Sequence, residues 1–379
     1  MSFVRCRSCL MPATRPDTAF IDGECSACTS FAKRRDIDWP AREQELLRIL
    51  ESAPKNDSGY TCIVPSSGGK DSHWQALKLI ELGARPLVVT ATTCQLTDIG
   101  RKNIDNLARY ATTVEITPNR DVRAKLNKLG LELVGDISWP EHVSIFTTPF
   151  RAAADFGIPL IFYGECPQEN FGGPIGTDTA RTLTKRWRSE FGGFLGLRPS
   201  DMIGQEGITA ADMQDYELPS DEKLEGVTAY FLGQFCLWDS HRNAKVAVNA
   251  GMTVPSHHSE ISFANHWAAE NLDNAQTGLH DHAMYRKFGY GRLCAQISVD
   301  IRSGLISRQA AKTFVGQWDG SFPEIYMEVP VEDVCRQIGV TYEWLLGTLD
   351  RFTNWDLFVP VNGELRPILK EFAGEQEAA

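Results

Sequence analysis

Two groups of residues in this chain have types and spacings that suit specific chemistry, and the first is the run SSGGKDS at residues 66–72. It follows the apolar stretch YTCIVPS and precedes a helix-like stretch. Glycines let backbone N–H groups close around an anion, and a helix N-terminus adds partial positive charge. Lys70 adds a full positive charge, and Asp71 is placed to share a Mg²⁺ ion with bound phosphates. The run therefore predicts a phosphate-binding loop.

This loop differs from the two commonest nucleotide-binding patterns. Val64 stands where G-x-x-x-x-G-K-[ST] needs its first glycine, Asp71 follows the lysine, and G-x-G-x-x-G is absent. A phosphate loop of another class is expected.

Four of the ten cysteines form the second group. Cys6 and Cys9 make one C-x2-C pair, and Cys25 and Cys28 make another after fifteen intervening residues. Two such turns direct four thiolates to one point, which is the tetrahedral set that Zn²⁺ prefers, at zinc-ribbon spacing. The alternative is four unrelated small core residues. Because the protein supplies all four ligands, the predicted zinc site is closed and structural.

Strand and helix patterns alternate from residue 60 to about residue 164. The expected strands are 60–66, 85–91, 112–117 and 158–164, and the expected helices are 73–82, 99–111, 119–133 and 141–157. The alternation predicts an α/β fold with a parallel sheet covered on both faces. We also expect a helix over 39–53 and two helices around a glycine turn within 331–352.

Charge and hydropathy exclude some functions. The formal net charge is −11, from 38 Lys+Arg and 49 Asp+Glu. Because binding to a nucleic-acid backbone needs clustered cations, we do not expect a nucleic-acid partner. The basic run 181–188 is the best candidate for a local patch that could bind nucleic acid. The alternative interpretation of this run is a solvent-exposed helix face. We expect no membrane span and a cytoplasmic location, because neither a long apolar run nor an N-terminal signal core is present.

The pattern S-G-G-x-D-S after a first strand resembles the signature of the PP-loop ATP pyrophosphatases, a superfamily that includes GMP synthetase, asparagine synthetase and the tRNA thiolases. The resemblance implies an adenine nucleotide alpha hydrolase-like fold whose loop holds pyrophosphate while ATP adenylates a carbonyl oxygen. A nucleophile then displaces AMP. The residues expected to bind ATP are Ser66, Ser67, Gly68, Gly69, Lys70, Asp71, Ser72, Thr90, Ala91, Thr92 and Gly164.

Further blocks resemble the bacterial N-acetyl sugar amidotransferases of lipopolysaccharide, O-antigen and nonulosonic-acid biosynthesis. They are the double C-x2-C with MPATRPDTAF between its pairs, TDIGRKNIDNL, YGE followed by FGG, FLGQFCLWDSHRNAK, TGLHDHAMYRKFGYGR and DIRSGLISRQAA, within roughly residues 5–360. Cys166 stands where that family commonly has Asn, so the role of position 166 stays open.

The resemblance implies a reaction in which ATP with Mg²⁺ activates the acetamido oxygen of an N-acetyl sugar, free or nucleotide-linked. Ammonia then replaces that oxygen to give an acetamidino sugar, AMP and pyrophosphate. An amide carbonyl is a poor electrophile, so a leaving group as good as AMP is needed. Ser2 and the absence of a G-x-C-x-G elbow predict that ammonia comes from a separate glutaminase subunit or from solution.

Specific roles follow for a few residues, each with a simpler alternative. Lys70, Asp71 and Glu165 are expected to be catalytic, although Glu165 alone could be a surface carboxylate. His280, Lys287 and Arg292 are expected to bind the diphosphate or carboxylate of the sugar substrate, or else to solvate the surface or cap helices. Thr90, Ala91 and Thr92 end the second strand, where a doubly wound fold binds nucleotide. Their alternative is an ordinary turn.

Four segments are expected: a zinc-ribbon-like module (1–35), a linker helix (36–58), a PP-loop ATP-binding domain (59–255) and a mostly helical region for substrate or partner (256–379). Two other functions remain open. A thiolase would carry sulfur on Cys166 or Cys94 to tRNA or a small molecule. The other is a non-catalytic nucleotide-binding subunit, and the intact Lys70, Asp71 and Ser72 argue against it. The sugar, its carrier, the ammonia donor and the oligomeric state stay open.

Overall fold

A computed structural model describes residues 3–174, 176, 181–256, 264–361 and 363–374. These residues form an α/β fold around a five-stranded parallel sheet. The strands are β1 Phe20–Ile21, β2 Glu24–Cys25, β3 Cys62–Pro65, β4 Pro86–Ala91, β5 Thr112–Ile116, β6 Leu160–Tyr163, β7 Thr228–Phe231, β8 Ile325–Tyr326, β9 Val329–Pro330, β10 Phe358–Val359 and β11 Ile368–Leu369.

Helices surround the sheet and form most of the C-terminal third. They are α1 Ser26–Lys33, α2 Trp39–Ser52, α3 Lys70–Glu81, α4 Asp98–Leu107, α5 Arg120–Val134, α6 Trp139–Ile145, α7 Thr148–Phe156, α8 Pro167–Phe171, α9 Lys185–Phe191, α10 Ser240–Asn249, α11 Thr277–Phe288, α12 Arg292–Arg302, α13 Arg308–Trp318, α14 Val331–Gln337 and α15 Tyr342–Phe352. Short 3₁₀ turns are Arg34–Asp36, Pro199–Met202, Gln205–Gly207, Asp212–Tyr216 and Leu232–Gln234.

The central sheet has the order β5-β4-β3-β6-β7, and every neighbouring pair is parallel. From β3 the chain builds β4 and β5 on one side, and it then returns to build β6 and β7 on the other. The carboxyl ends of β3 and β6 therefore form a topological switch point, the place where open α/β sheets bind ligands.

Apolar packing on both faces explains why these strands lie at the centre. All four residues of β6 and the first three of β3 are buried. On one face Trp74, Leu79 and Trp238 pack over the sheet beside α10. On the other face Phe150 of α7 and Trp187 of α9 pack against it. Residues buried on both sides match the near-continuous apolar runs of a parallel sheet.

The predicted α/β fold with a parallel sheet is confirmed, with two corrections. The single helix predicted over 141–157 is two helices, because the chain breaks at Phe146 and Thr147 and restarts with Pro149 in the first turn of α7. Strand β7 was not predicted from the sequence. The two helices expected within 331–352 are α14 and α15, separated by a turn in which Gly339 has φ +72°.

The cysteine-containing N-terminal segment shares its core with the C-terminal helices. Cys6, Leu10 and Cys28 belong to one buried cluster with Tyr285 and Leu293. The segment also packs α1 against α8, which directly follows the loop after β6.

None of the helices in the described parts of the chain combines the length and apolar character needed to cross a membrane. The four predicted segments and their boundaries stay predictions. Residues 1–2, 257–263 and 375–379, which fall within the first and last of them, lie outside the described residues.

Candidate nucleotide-binding cavity and cysteine centre

The loop at residues 66–72 turns sharply between β3 and α3. Gly68 has φ +83°, and a Cβ at this position would lie 2.9 Å from the backbone nitrogen of Ile104, so only glycine fits without strain. Inside the turn the Gly68 N–H donates to Ser66 Oγ at 2.9 Å. Ser66 Oγ in turn donates to Ser72 Oγ, also at 2.9 Å. The loop is therefore held by its own serines, at the N-terminus of a twelve-residue helix.

Lys70 and Asp71 begin α3 and form a charged pair beside the loop. Lys70 is only 4% exposed, and its Nζ lies 2.5 Å from Asp71 Oδ2 and 3.3 Å from Glu270 Oε2. Burial alone would lower the pKa of Lys70, but these two carboxylates raise it above its ordinary value. Lys70 is thus a fixed cation. Asn243 of α10 orients Asp71, because its Nδ2 donates to Asp71 Oδ1 at 3.1 Å.

Gly164 and Glu165 follow β6 at the same edge of the sheet. A Cβ on Gly164 would lie 2.9 Å from the Trp238 ring, so this glycine allows close packing behind the loop. Burial, together with the neighbouring Asp71 carboxylate, raises the pKa of Glu165 to about 7. A carboxyl group that titrates near neutrality inside a cleft is a recognised sign of a functional site.

A cavity of about 470 Å³ connects these groups, a size typical of small-ligand sites. The loop residues and β-strand ends form one wall, and α6, the 269–274 segment, α11 and α12 form the others. Its polar and charged lining residues are Ser66, Ser67, Lys70, Asp71, Ser72, Gln75, Thr93, Ser138, Glu141, His142, Ser144, Tyr163, Glu165, Glu270, Asn271, Asp273, Asn274, Thr277, His280 and Arg292. None of the described cysteines is among the lining residues.

Three carboxylates face Lys70 at this site. Asp71 and Glu270 are within ion-pair distance of its ammonium, and the Glu165 carboxylate interacts with it electrostatically. Carboxylate oxygens are the ligands that Mg²⁺ prefers, together with substrate phosphates and water. Among the described residues these three carboxylates do not converge on one point as the four clustered cysteines do. A magnesium ion here would therefore be held mainly by phosphate oxygens and water, with carboxylate oxygens completing its coordination.

A second cluster lies at the far wall of the cavity. Asp136 is buried, its Oδ1 lies 2.7 Å from His280 Nδ1, and its Oδ2 lies 3.5 Å from His142 Nδ1. Burial alone would raise the pKa of Asp136 and lower that of His280. Their mutual attraction instead lowers the pKa of Asp136 and raises that of His280. Burial dominates at His142, whose pKa is lowered.

The three residues predicted to bind the sugar substrate have different environments. His280 and Arg292 line the cavity, and Arg292 forms ion pairs with Asp281 at 2.9 Å and Glu270 at 3.8 Å. Lys287 is not among the lining residues, because its Nζ donates to the carbonyls of Val134 and Gly135 at the end of α5. Lys287 therefore caps the C-terminal end of α5, which is the alternative role considered for it in the sequence analysis.

The three residues at the end of β4 that were predicted to bind ATP also differ in whether they line the cavity. Ala91 lines the cavity, as does Thr93, which sequence reasoning missed. Thr90 and Thr92 are buried at 1% and 8% exposure and are not among the lining residues. Other missed residues are Asp136, Glu141 and His142, which carry no local motif.

The four clustered cysteines converge as their spacing predicts. All four are buried, and their Sγ atoms lie within 4.8 Å of one another. The Cys6–Cys28 and Cys9–Cys25 Sγ separations are 3.8 and 3.7 Å. Tetrahedral zinc with Zn–S bonds of ~2.3 Å places sulfur atoms ~3.8 Å apart. The geometry therefore fits a closed, four-thiolate zinc site.

Backbone contacts hold this centre in place. The Cys25 N–H donates to Cys6 Sγ, and the Met11 N–H donates to Cys9 Sγ. Hydrogen bonds of this kind to the ligand atoms are common at metal sites. The Arg308 guanidinium donates to the Cys6 and Cys9 carbonyls.

Comparison with known proteins adds a sequence match and distant structural likenesses. Among curated proteins, no match to the chain was found. The solved NMN synthetase from Francisella tularensis is similar over 58% of this chain and 90% of that chain, with 14% identity and a TM-score of 0.26. At this identity and TM-score, nothing about activity follows. The family described as LPS biosynthesis protein WbpG-like, C-terminal domain, matches residues 260–366. Over the stretch that carries Glu270, His280 and Arg292, the chain is therefore similar to a family of lipopolysaccharide biosynthesis proteins.

Proposed function

We propose that this protein is an ATP-dependent amidotransferase that converts the acetamido group of an N-acetyl sugar into an acetamidino group. The observation that carries the proposal is the shared cavity: the glycine loop at residues 66–72 faces the same space as Glu165, His280 and Arg292. A nucleotide held at the loop and a second substrate held at α11 and α12 would meet inside it.

The loop suits release of pyrophosphate. Its backbone N–H groups, the α3 N-terminus and Lys70 together supply positive charge where negative charge develops on a leaving pyrophosphate. The acetamido oxygen would attack the α-phosphorus of ATP, and the bond from that phosphorus to pyrophosphate would break. A Mg²⁺ ion bound by the phosphates, with oxygens from one or more of Asp71, Glu165 and Glu270, would neutralise part of the negative charge on the phosphates.

The opposite wall suits an anionic sugar carrier. The Arg292 side chain is 20% exposed and permanently charged, and its planar guanidinium matches phosphate and carboxylate oxygens. The WbpG-like match over residues 260–366 supports a substrate from lipopolysaccharide biosynthesis, because it covers this wall. Ammonia would then displace AMP, and a separate glutaminase would supply it.

The thiolase alternative has weaker support. Cys166 is fully buried, and its Sγ donates to Gln168 Oε1 at 3.3 Å. Burial raises the pKa of Cys94 to about 11, which disfavours the reactive thiolate. Neither thiol lines the cavity.

The test combines two measurements on purified protein with ATP, Mg²⁺, an ammonium salt at alkaline pH and a panel of N-acetyl nucleotide sugars. ³¹P NMR should show AMP and pyrophosphate, and high-resolution mass spectrometry should show replacement of an oxygen atom by an NH group. ADP and phosphate as products would contradict the proposal, and sulfur incorporation from a persulfide donor would establish the thiolase.

A pair of variants on one helix controls this test. Lys70→Ala should lower turnover by about 10²–10³-fold, because it removes a charge that stabilises the leaving pyrophosphate. Lys78→Ala should leave turnover unchanged, because Lys78 lies near the C-terminal end of α3, pairs with Glu43 and Glu81, and is not among the cavity-lining residues.

A further inference from the structure

The Asp136–His280 pair at the far wall of the cavity resembles a catalytic dyad in its geometry. A carboxylate can only accept hydrogen bonds, so the 2.7 Å contact requires His280 Nδ1 to carry a proton and donate it to Asp136 Oδ1. In the neutral ring, Nε2 then holds a free lone pair. This is the tautomer in which a histidine acts as a general base.

Asp136 is itself held firmly. It is 5% exposed, and its Oδ1 also accepts the N–H of Ser138 at 2.9 Å. It immediately follows α5 and precedes α6, so the carboxylate is anchored at a junction of two helices. Asp136 lies behind His280 and is not among the cavity-lining residues, whereas His280 is. The aspartate is thus a positioning residue for the imidazole.

The proposed reaction contains a proton that needs an acceptor. The O-adenylated imidate retains the amide proton on its nitrogen, and ammonia adds its lone pair to the imidate carbon. The adduct therefore carries an –NH3⁺ group. One proton must leave this group before its nitrogen lone pair can form the new C=N bond and expel AMP.

We infer that His280 is the general base of the ammonia step, oriented by Asp136. Nε2 of His280 takes one proton from the –NH3⁺ group of the adduct. The freed lone pair forms the C=N bond, the C–O bond to AMP breaks with its electrons leaving on AMP, and the product is an amidinium. His280 then releases its proton to water. This inference rests on the proposed amidotransferase function.

Neighbouring groups tune the pair. The titratable and charged residues that face it are Glu141 and His142 from α6, and Asp281, Lys287 and Arg292 from α11 and α12. His142 is a poorer base, because its Nδ1 lies 3.5 Å from the nearest Asp136 oxygen and makes no hydrogen bond with it. Asp136 raises the pKa of His280, so its base form increases as pH rises above the ordinary histidine range.

The test separates the two half-reactions. Sugar-dependent ATP–pyrophosphate exchange reports adenylation, and ammonia-dependent amidine formation reports the second step. His280→Ala should lose about 10²–10⁴-fold in amidine formation while exchange, which needs only sugar and ATP binding, falls far less. Added imidazole should restore part of the lost amidine formation. His241→Ala is the matched control. It removes another histidine that is 2.7 Å from a buried aspartate, Asp300, where neither residue lines the cavity, and it should change neither half-reaction.

Asp136→Asn keeps an oxygen for the Ser138 N–H but cannot stabilise an imidazolium. Plotted against free ammonia, its amidine rate should be lower, and the pH at which that rate rises should move down. Equal loss of both half-reactions in His280→Ala would show a substrate-binding role and overturn the inference. Unchanged amidine formation would also overturn it. The ligand atoms of Asp136, His142 and His280 lie within 4.8 Å of one another, so a metal ion beyond the zinc that is lost in His280→Ala would overturn it as well. If wild-type protein forms no amidine at all, the proposed function fails instead.

Discussion

Gly68→Ala should destabilise the protein far more than the same change at the adjacent glycine. At φ +83° a non-glycine residue costs about 1–2 kcal/mol. The new Cβ would also lie 2.9 Å from the Ile104 nitrogen and 3.0 Å from its Cγ1, and overpacking of this kind costs about 1–3 kcal/mol. The sum is about 2–5 kcal/mol. Gly69 has φ −76°, and a Cβ there would meet only Ser67 Oγ at 3.5 Å.

Urea unfolding followed by tryptophan fluorescence measures this difference. Gly68→Ala should unfold at a clearly lower urea concentration than wild type, with a similar slope, whereas Gly69→Ala should stay within about 0.5 kcal/mol. ATP–pyrophosphate exchange should fall in Gly68→Ala as the loop shifts away from Ile104. Equal unfolding midpoints for the two variants would refute the argument, because they would show that neither the positive φ nor the Ile104 contact constrains this loop.

Three further predictions concern the metal, the carboxylate and the link between them. Reduced, freshly purified protein should carry one tightly held zinc per chain by elemental analysis, and Cys9→Ser should lose most of it; absence of zinc from wild type would contradict the four-thiolate site. Exchange activity should rise with pH through about 7 as Glu165 loses its proton and becomes available to Mg²⁺. Glu165→Gln should remove that rise, and a flat wild-type profile would contradict it. Arg34→Ala should lower both stability and exchange, and Arg35→Ala should lower neither.

The features that could be predicted from the sequence are those encoded by local patterns of residues. The glycine loop, the paired cysteines and the alternating strands are each encoded within a few neighbouring residues. In the structure the glycine run forms a tight loop before α3, the four cysteines converge, and the central strands form one parallel sheet. The Asp136–His280 contact joins positions 144 residues apart, and no local sequence motif near either residue predicts it. Lys287 was predicted to bind substrate, but in the structure its ammonium donates to the Val134 carbonyl. That contact depends on where the end of α5 lies, which the sequence around Lys287 does not encode.

Strand β7 was missed for a related reason. Its four residues, Thr228–Phe231, follow a long irregular stretch, and only their pairing beside β6 makes them a strand. Tertiary context of this kind overrides local propensity at sheet edges.

The cysteine centre is connected through Arg34 to α8, the short helix that follows the loop carrying Glu165. This residue follows α1, which contains Cys28, and its guanidinium donates to Glu169 Oε1 at 2.7 Å and Asn170 Oδ1 at 2.6 Å. Both acceptors lie in α8, only a few residues after Glu165. A guanidinium that bonds two adjacent side chains fixes the position and angle of that short helix.

The cost of breaking this link follows from its burial. Arg34 and Glu169 side chains are 11% and 8% exposed, and removing one partner of a buried pair costs about 3–5 kcal/mol. Gln234 Nε2 still donates to Glu169 Oε2 at 3.0 Å in the variant, so the lower part of that range is expected for Arg34→Ala. Arg35 is exposed and controls for loss of charge alone. If Arg34→Ala kept wild-type stability and exchange, the cysteine centre would stabilise only its own segment and the C-terminal helices, without positioning the loop that carries Glu165.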